Sequence, residues 1–216
     1  MSETPDPLHY EKQFLEQQLR LVAGIDEAGR GAWAGPVVAG AVILPLDRDD
    51  LLEALEGVRD SKLCTPLQRE RLYGVVREVA LAVGVGTASA AEVDRIGVVA
   101  ASKIAMRRAV DNLPLRPEAL LIDGGYMWLR KVDLPQEALV KGELKSISIA
   151  AASIVAKVAR DRTMVELGEE WAAYGFERHK GYGTTQHRAA LDTLGPMALH
   201  RRTFAPIRRA LGRERT

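Results

Sequence analysis

Apolar positions in this chain change period several times, and each change marks an element. Leu21 to Asp26 is an apolar run ending in an acid, which predicts a buried strand. Gly29-Arg30-Gly31 then makes a glycine-rich turn, and Pro36 to Leu44 is a second Val- and Ala-rich run closed by Pro45. The short connection predicts a hairpin, hence antiparallel pairing. Val79 to Ala88 predicts a third strand, with Val83, Val85 and Thr87 alternating along it. Residues 1–10 read as a frayed terminus and Glu11 to Arg20 as a short helix. Thr65-Pro66 is an N-cap followed by proline at the first helical position, opening a helix to about Val79. Val98 to Asn112 predicts another helix, Ala119 to Ile122 a short strand stopped by Asp123-Gly124-Gly125, and Leu139 to Lys141 a fifth strand. The longest helix is predicted from about Ser148 to Trp171, with Ile147, Ala151, Ile154, Val158 and Val165 as its core stripe. From Tyr174 on, Gly183, Gly195, Pro196 and Pro206 break the chain into loops and short helices. Strands first, then alternating helix and strand, predict an α/β fold: a mixed sheet with helices packed on it.

Composition narrows the class. With 216 residues, the chain fits one large domain or one domain with a small appendage; we divide it into residues 1–173 and a basic helical extension, 174–216. Hydrophobic residues make up 47% and charged residues 27%, too apolar for disorder. The single cysteine, Cys64, can form neither an internal disulfide nor a zinc site, which suits a reducing compartment and a cytoplasmic location. Met1 to Tyr10 is polar, with two prolines, and does not read as a signal peptide; Val37 to Leu44, the longest apolar stretch, is far too short to span a bilayer. Net charge is +1, but residues 174–216 carry +6 and residues 1–173 carry −5. The basic segment is either a solvated surface or an electrostatic arm for phosphates.

Four constellations carry candidate chemistry. Asp26 and Glu27 end the first strand, where adjacent acids are costly unless something positive meets them. An all-oxygen pair suits Mg²⁺ or Mn²⁺. A flat strand would aim only one of the two at a site, unless the strand end and the glycine turn curl the second round. The bland reading is a solvated pair. Gly29-Arg30-Gly31-Ala32-Trp33-Ala34 also fits the dinucleotide-binding pattern, but that motif needs a helix at the turn, and Pro36 with a Val-rich run follows instead. Asp123 ends another buried strand and is either an Asx-type turn or a third acid of one cluster. Glu143 is either a fourth acid or a loop charge; Ser153 and Lys157, four apart on the long helix and off its apolar stripe, either reach a phosphate or are solvated. Tyr182, between glycines in the basic loop His179-Lys180-Gly181-Tyr182-Gly183-Thr184, either stacks on a base or sugar or packs on its own loop.

Together these segments resemble the ribonuclease HII family from about Leu21 to Leu211. The matching motifs are Asp26-Glu27-Ala28-Gly29-Arg30-Gly31, Ala34-Gly35-Pro36-Val37-Val38, Asp60-Ser61-Lys62-Leu63 and Ile122-Asp123-Gly124. Ala150 to Val158 with Arg160-Asp161, the loop 179–184 and His200-Arg201-Arg202-Thr203-Phe204 complete the set. The resemblance implies a ribonuclease H-like fold with a small C-terminal helical extension. It implies cleavage of the RNA strand of RNA–DNA hybrids and cutting 5′ to single ribonucleotides in duplex DNA. It makes Asp26, Glu27 and Asp123 catalytic metal-binding carboxylates for two Mn²⁺ or Mg²⁺ ions. Glu143 falls where the family usually has aspartate, so one methylene is added there. The resemblance also assigns Gly29, Arg30 and Gly31 to reading the ribose 2′-hydroxyl, Tyr182 to stacking on the sugar after the scissile bond, and Asp60, Ser61, Lys62, Ser153 and Lys157 to backbone contacts. A monomer with no membrane partner is expected. Two other readings stay open: a relative cutting only long hybrids, and, because of Glu143, a catalytically weak hybrid-binding module.

Overall fold

In the computed structural model the apolar runs become a five-stranded mixed sheet; residues 6–58 and 61–213 are described. The expected frayed start therefore falls partly, and the candidate Asp60 wholly, outside the described residues. Helix α1 (His9–Glu16) leads into β1 (Val22–Ala28) and β2 (Val37–Ile43). Short α2 (Leu51–Ala54) and α3 (Pro66–Val79) precede β3 (Ala82–Ala88), then α4 (Ala90–Ile96), α5 (Val98–Asp111), β4 (Ala119–Asp123) and β5 (Gln136–Leu139). Helix α6 (Ile147–Glu170) follows, then α7 (Phe176–His179), α8 (Thr185–Leu194) and α9 (Ala205–Arg213). The strand order is β3-β2-β1-β4-β5. The predicted β1–β2 hairpin is antiparallel, as is β2–β3, whereas β1–β4 and β4–β5 are parallel.

Helices cover both faces. Ala105, Met106 and Ala109 of α5 join Ala23, Ile25, Ala41 and Ile122 in one core, while Ala151, Ile154 and Val155 of α6 join Val42, Leu72 and Val76 in another. Both helices come very close to the strands because glycines face them. A Cβ on Gly24 would lie 2.1 Å from the Ser148 carbonyl carbon, and one on Gly86 would lie 2.2 Å from Ala105 O. The predicted alternation of Val83, Val85 and Thr87 is correct, since Ala82, Gly84, Gly86 and Ala88 take the buried face of β3.

Several boundaries differ from the sequence reading. Helix α1 begins at His9 and stops at Glu16, since Gln18 takes a left-handed backbone (φ 65°) and ends it well before Arg20. β5 is Gln136–Leu139, not Leu139–Lys141: it pairs in register with β4, and the left-handed Lys141 (φ 54°) closes it. Helix α4 was missed although Ser89 and Glu92 form a capping box there. The stripe assigned to α6 was too narrow at its start and too long at its end. Ile147 to Ala156 are all buried, Ser153 included, because the sheet packs on one side and α3 with residues 61–63 on the other. Val165 is 38% exposed, beside a groove rather than against the sheet.

The segment from residue 174 is tied to the loop between β1 and β2. Trp33 N donates to Gly181 O (2.8 Å), Arg201 N to Trp33 O (2.8 Å), and Gly35 N to Leu199 O (2.9 Å). Among the described residues no helix is long and apolar enough to cross a membrane.

The two kinds of glycine site make opposite predictions. Gly24→Ala forces a methyl into the α6 backbone and should destabilise by about 1–3 kcal/mol or more. Gly74→Ala, inside α3 with nothing within 4 Å of the added Cβ, should stabilise by about 0.4–1 kcal/mol. Urea unfolding at constant m-value measures both; a neutral Gly24→Ala contradicts the packing described.

Candidate active site

Parallel pairing sets the acids side by side. β1 and β4 run in register with Ile25 opposite Ile122, so Asp26 and Asp123 leave the sheet at the same end of adjacent strands. Asp26 is 5% exposed. The worry that Glu27 must point away from Asp26 is resolved at the strand end, since Asp26 and Glu27 both feel the charge of Asp123. After β5, the left-handed Lys141 turns the chain back and Gly142 N donates to Asp123 Oδ1 (2.7 Å), which brings Glu143 against Asp123. Lys62 reaches in from the other side, with Nζ 3.6 Å from Glu143 Oε1.

Burial, and then neighbouring negative charge, suppresses the ionisation of Asp26, Glu27 and Glu143. Burial, and then the charges of Glu27 and Asp123, push the Asp26 carboxyl well above the usual carboxylate range. Burial also raises Glu27, opposed by the Arg30 guanidinium, whose Nη1 donates to Glu27 Oε1 (3.2 Å). Glu143 is raised by burial and by its contact with Asp123. Glu27 Oε2 and Glu143 Oε2 are buried with no hydrogen-bond partner among the described residues. Unpaired buried carboxylate oxygens call for a cation, and an all-oxygen donor set fits Mg²⁺ or Mn²⁺. Among the described residues no three acids, histidines or cysteines converge into a closed ion shell.

The candidate recognition residues gather beside this cluster. Gly29 is buried with φ 95°, whereas Gly31 is exposed with open space around it. Arg30 links Glu27 to Tyr126, its Nη2 donating to the phenol oxygen (2.8 Å). Tyr126, 57% exposed just past Asp123, was missed by the sequence reading, since nothing in Gly124-Gly125-Tyr126 marks it out. Ser153 and Ser61 meet: Ser153 Oγ donates to Ser61 Oγ (2.8 Å). Both are buried, so they brace the 61–63 turn against α6 rather than standing free for a phosphate. Lys157 Nζ lies 2.5 Å from Asp161 Oδ1 and 5.6 Å from the centre of the Tyr182 ring. Tyr182 is half-buried, and the Arg160 guanidinium carbon is 5.1 Å from its ring centre. After Gly29-Arg30-Gly31 no helix begins; β2 follows, and the dinucleotide-binding pattern lacks its helix.

Three of the four histidines lie behind Tyr182, an arrangement the sequence did not announce. The rings of His179 and His187 stack at 4.4 Å, and His187 Nε2 meets His200 Nε2 at 3.0 Å. The partners fix neutral tautomers. His200 Nδ1 accepts from Met197 N, so its Nε2–H donates to His187, whose Nδ1–H donates to the Tyr182 carbonyl (3.0 Å). Burial holds His187 and His200 down to about 4. Arg201 is wholly buried too, donating to Gly35 O and Arg30 O, so it is not part of any surface arm.

A sheet of order 3-2-1-4-5 with acids at the ends of adjacent strands β1 and β4 defines a ribonuclease H-like nuclease. The family model for Ribonuclease HII matches residues 23–207. Ribonuclease HII of Thermus thermophilus is 54% identical over 190 residues, covering 88% of this chain and 89% of its own. The crystal structure of ribonuclease H2 from Pyrococcus horikoshii is 27% identical and superimposes with a TM-score of 0.76 over 90% of this chain and 99% of its own. Bst ribonuclease HIII, solved in complex with Mn²⁺, shares the fold at 22% identity, with a TM-score of 0.65 over 91% of this chain and 71% of its own. The chain belongs to the ribonuclease HII family, and it is a ribonuclease H, an endonuclease of the hydrolase class.

The histidine cluster makes stability depend on pH. Unfolded imidazoles take protons near 6.5, whereas folded His187 and His200 resist until about 4. In that window the unfolded chain binds more protons, so their contribution is complete above pH 6.5 and declines as pH falls to 4. The decline should be on the order of a few kcal/mol. Comparing unfolding free energies of parent and His187→Asn, which keeps a donor for the Tyr182 carbonyl, isolates this part from the carboxylates. Parallel pH profiles would refute it.

Proposed function

We propose that this chain cuts the RNA strand of RNA–DNA hybrids and also cuts duplex DNA on the 5′ side of a single embedded ribonucleotide. The observation that carries the reading is the buried acid cluster at the ends of β1 and β4, whose carboxylates are held close together with two oxygens unpartnered among the described residues. Divalent ions bound there would polarise the scissile phosphate and activate water, the two-metal chemistry of phosphodiester hydrolysis, leaving 5′-phosphate and 3′-hydroxyl ends. The Mn²⁺ complex of Bst ribonuclease HIII supports a divalent-metal site in this fold. Asp26, Glu27, Asp123 and Glu143 would hold the ions. Glu143 is longer than the family's usual aspartate, yet it still lies against Asp123 and Lys62.

The chain's own residues supply orientation and selectivity. Phosphates are the same in RNA and DNA, so only the 2′-hydroxyl and the sugar can tell a ribonucleotide from its neighbours. The exposed Gly31 and its flanking backbone can approach that hydroxyl without a side chain in between. Tyr182 can press on the next sugar and favour one that lacks it. Lys62 and Lys157, and beyond them the exposed Arg188, Arg202, Arg208 and Arg209 of the extension 174–216, would meet phosphates. The Ser61–Ser153 contact would hold the turn that presents Lys62. We read the protein as a monomer acting in the cytoplasm.

Two measurements test this. With Mg²⁺ or Mn²⁺, Asp26→Asn and Asp123→Asn should lower hybrid cleavage by more than about a hundredfold, the upper end of what loss of an outer partner alone costs, while Glu143→Asp should keep activity. Near-parental rates in either Asn variant sink the site assignment. On a duplex with one ribonucleotide the parent should cut 5′ to it. Tyr182→Ala should lower the ratio of that rate to the rate on a continuous hybrid by about ten- to a hundredfold; an unchanged ratio removes Tyr182 from recognition.

A further inference from the structure

Arg160 is among the two largest fully buried side chains of the fold, and no carboxylate pairs with it among the described residues. Burying a guanidinium without an ion pair is costly, so its contacts should reveal what the arginine is there for. Its Nε donates to Pro36 O (3.0 Å) and its Nη2 to Ala34 O (3.3 Å), the carbonyls at the far end of the loop that starts with Gly29. Its stem runs directly behind Gly29, where a Cβ would lie 2.0 Å from Nε. Its guanidinium carbon sits 5.1 Å from the centre of the Tyr182 ring. Nη1 finds no acceptor among the described residues. One planar group therefore touches the start of the Gly29–Gly31 turn, the end of the same loop, and the Tyr182 ring.

The neighbouring cations do not duplicate this. Lys157 also approaches the ring, at 5.6 Å, but it is held by Asp161. Arg201 holds Gly35 O and Arg30 O and lies against Phe204. A lysine at 160 could keep the charge. It could not present a flat face to the tyrosine while donating in two directions in the plane. Ser153, Lys157 and Arg160 follow at helical spacing on α6, so the helix that is fixed against the sheet also fixes the guanidinium.

We propose that Arg160 is a positioning residue for junction recognition: it sets the distance between the backbone of Gly29–Gly31 and the ring of Tyr182. It touches neither the scissile phosphate nor the acids. It acts through the two elements that read the ribose and the following sugar, and it rests on the reading of Tyr182 given above. Without it, a continuous hybrid, which offers many registers and a 2′-hydroxyl at every RNA position, is still cut. A lone ribonucleotide, which offers one register, is cut poorly.

The test is a double-mutant cycle on the ratio of the single-ribonucleotide rate to the continuous-hybrid rate. Arg160→Lys should lower that ratio about tenfold with hybrid cleavage changed only a few-fold, the low end of what losing one aromatic stack costs. Arg160→Lys combined with Tyr182→Ala should fall no further than Tyr182→Ala alone. Val76→Ala, a core cavity in α3 away from the site, serves as the stability control and should leave the ratio unchanged. If Arg160→Lys does not fold, Arg160→Gln, which can still donate to Pro36 O, is read by the same criteria. Equal loss on both substrates, or losses that multiply in the double variant, overturns the proposal and leaves Arg160 a structural residue. A ratio lowered by Tyr182→Ala but not by either Arg160 variant overturns this proposal alone. A ratio unmoved by Tyr182→Ala overturns the recognition reading and this proposal with it.

Discussion

The close approach of α6 to β1 and β2 is the constraint on which the rest depends. Gly24 and Gly40 have no side chain on that face, and their absent Cβ atoms would overlap the α6 backbone at Ser148 and Ala152. Small residues on both sides let helix and sheet meet backbone to backbone, so α6 has little freedom to slide or rotate. Its start is held as firmly. Ser146 caps it by accepting from Ile149 N, and the buried Glu11 of α1 accepts from Ser146 Oγ and Ser148 N. An acid at a helix N-terminus is favoured by the helix dipole, which offsets part of the cost that burial puts on Glu11.

From that fixed helix the site is assembled in two directions. Toward the N-terminal end, the turn before α6 sets Glu143 against Asp123, and β4 sets Asp123 beside Asp26. Along the helix, Ser153 braces the turn carrying Lys62, while Lys157 and Arg160 face Tyr182. Buried acids whose ionisation is suppressed at one end, and the buried Arg160 with no ion pair among the described residues at the other, are both uphill for stability. The packing of α6 on the sheet supports that cost, and such conflicts between local energetics and fold are expected at functional sites.

The loop between β1 and β2 shows how a short segment can serve two sides of a site. Its beginning carries Arg30, just past Glu27 at the end of β1, and its end is held from behind by Arg160 and Arg201 through the Pro36 and Gly35 carbonyls. The segment from 174 onward locks onto the same loop through Gly181, Leu199 and the bridge between Ala34 and His200. Neutral, buried histidines then fix the Tyr182 backbone from below. Under the proposed function, recognition would rest on these supports rather than on a free loop, as reading a small difference between two sugars requires.

Much of this protein was legible in the sequence alone, because strand and helix periods, proline and glycine punctuation and a capping Thr65 are local signals. They gave the β1–β2 hairpin, α3, β3, α5, β4 and the existence of α6, and the two acid-ended strands pointed to one cluster. The ends of β5 and α1 were misplaced because left-handed residues such as Gln18 and Lys141 are not glycines and carry no mark in the sequence. The buried flanks of α6 could not be read from its stripe, since what covers Ser153 comes from residues 61–63, far away in the chain. Tyr126, and Arg160 between Gly29 and Tyr182, belong to the same kind, each taking its role from partners far away in the chain, while the histidine cluster depends on how short helices and loops fold back on one another. Local chemistry fixed which residues could act. Only the tertiary structure decided which of them meet, because contact across the sheet depends on register and helix placement rather than on neighbouring residues.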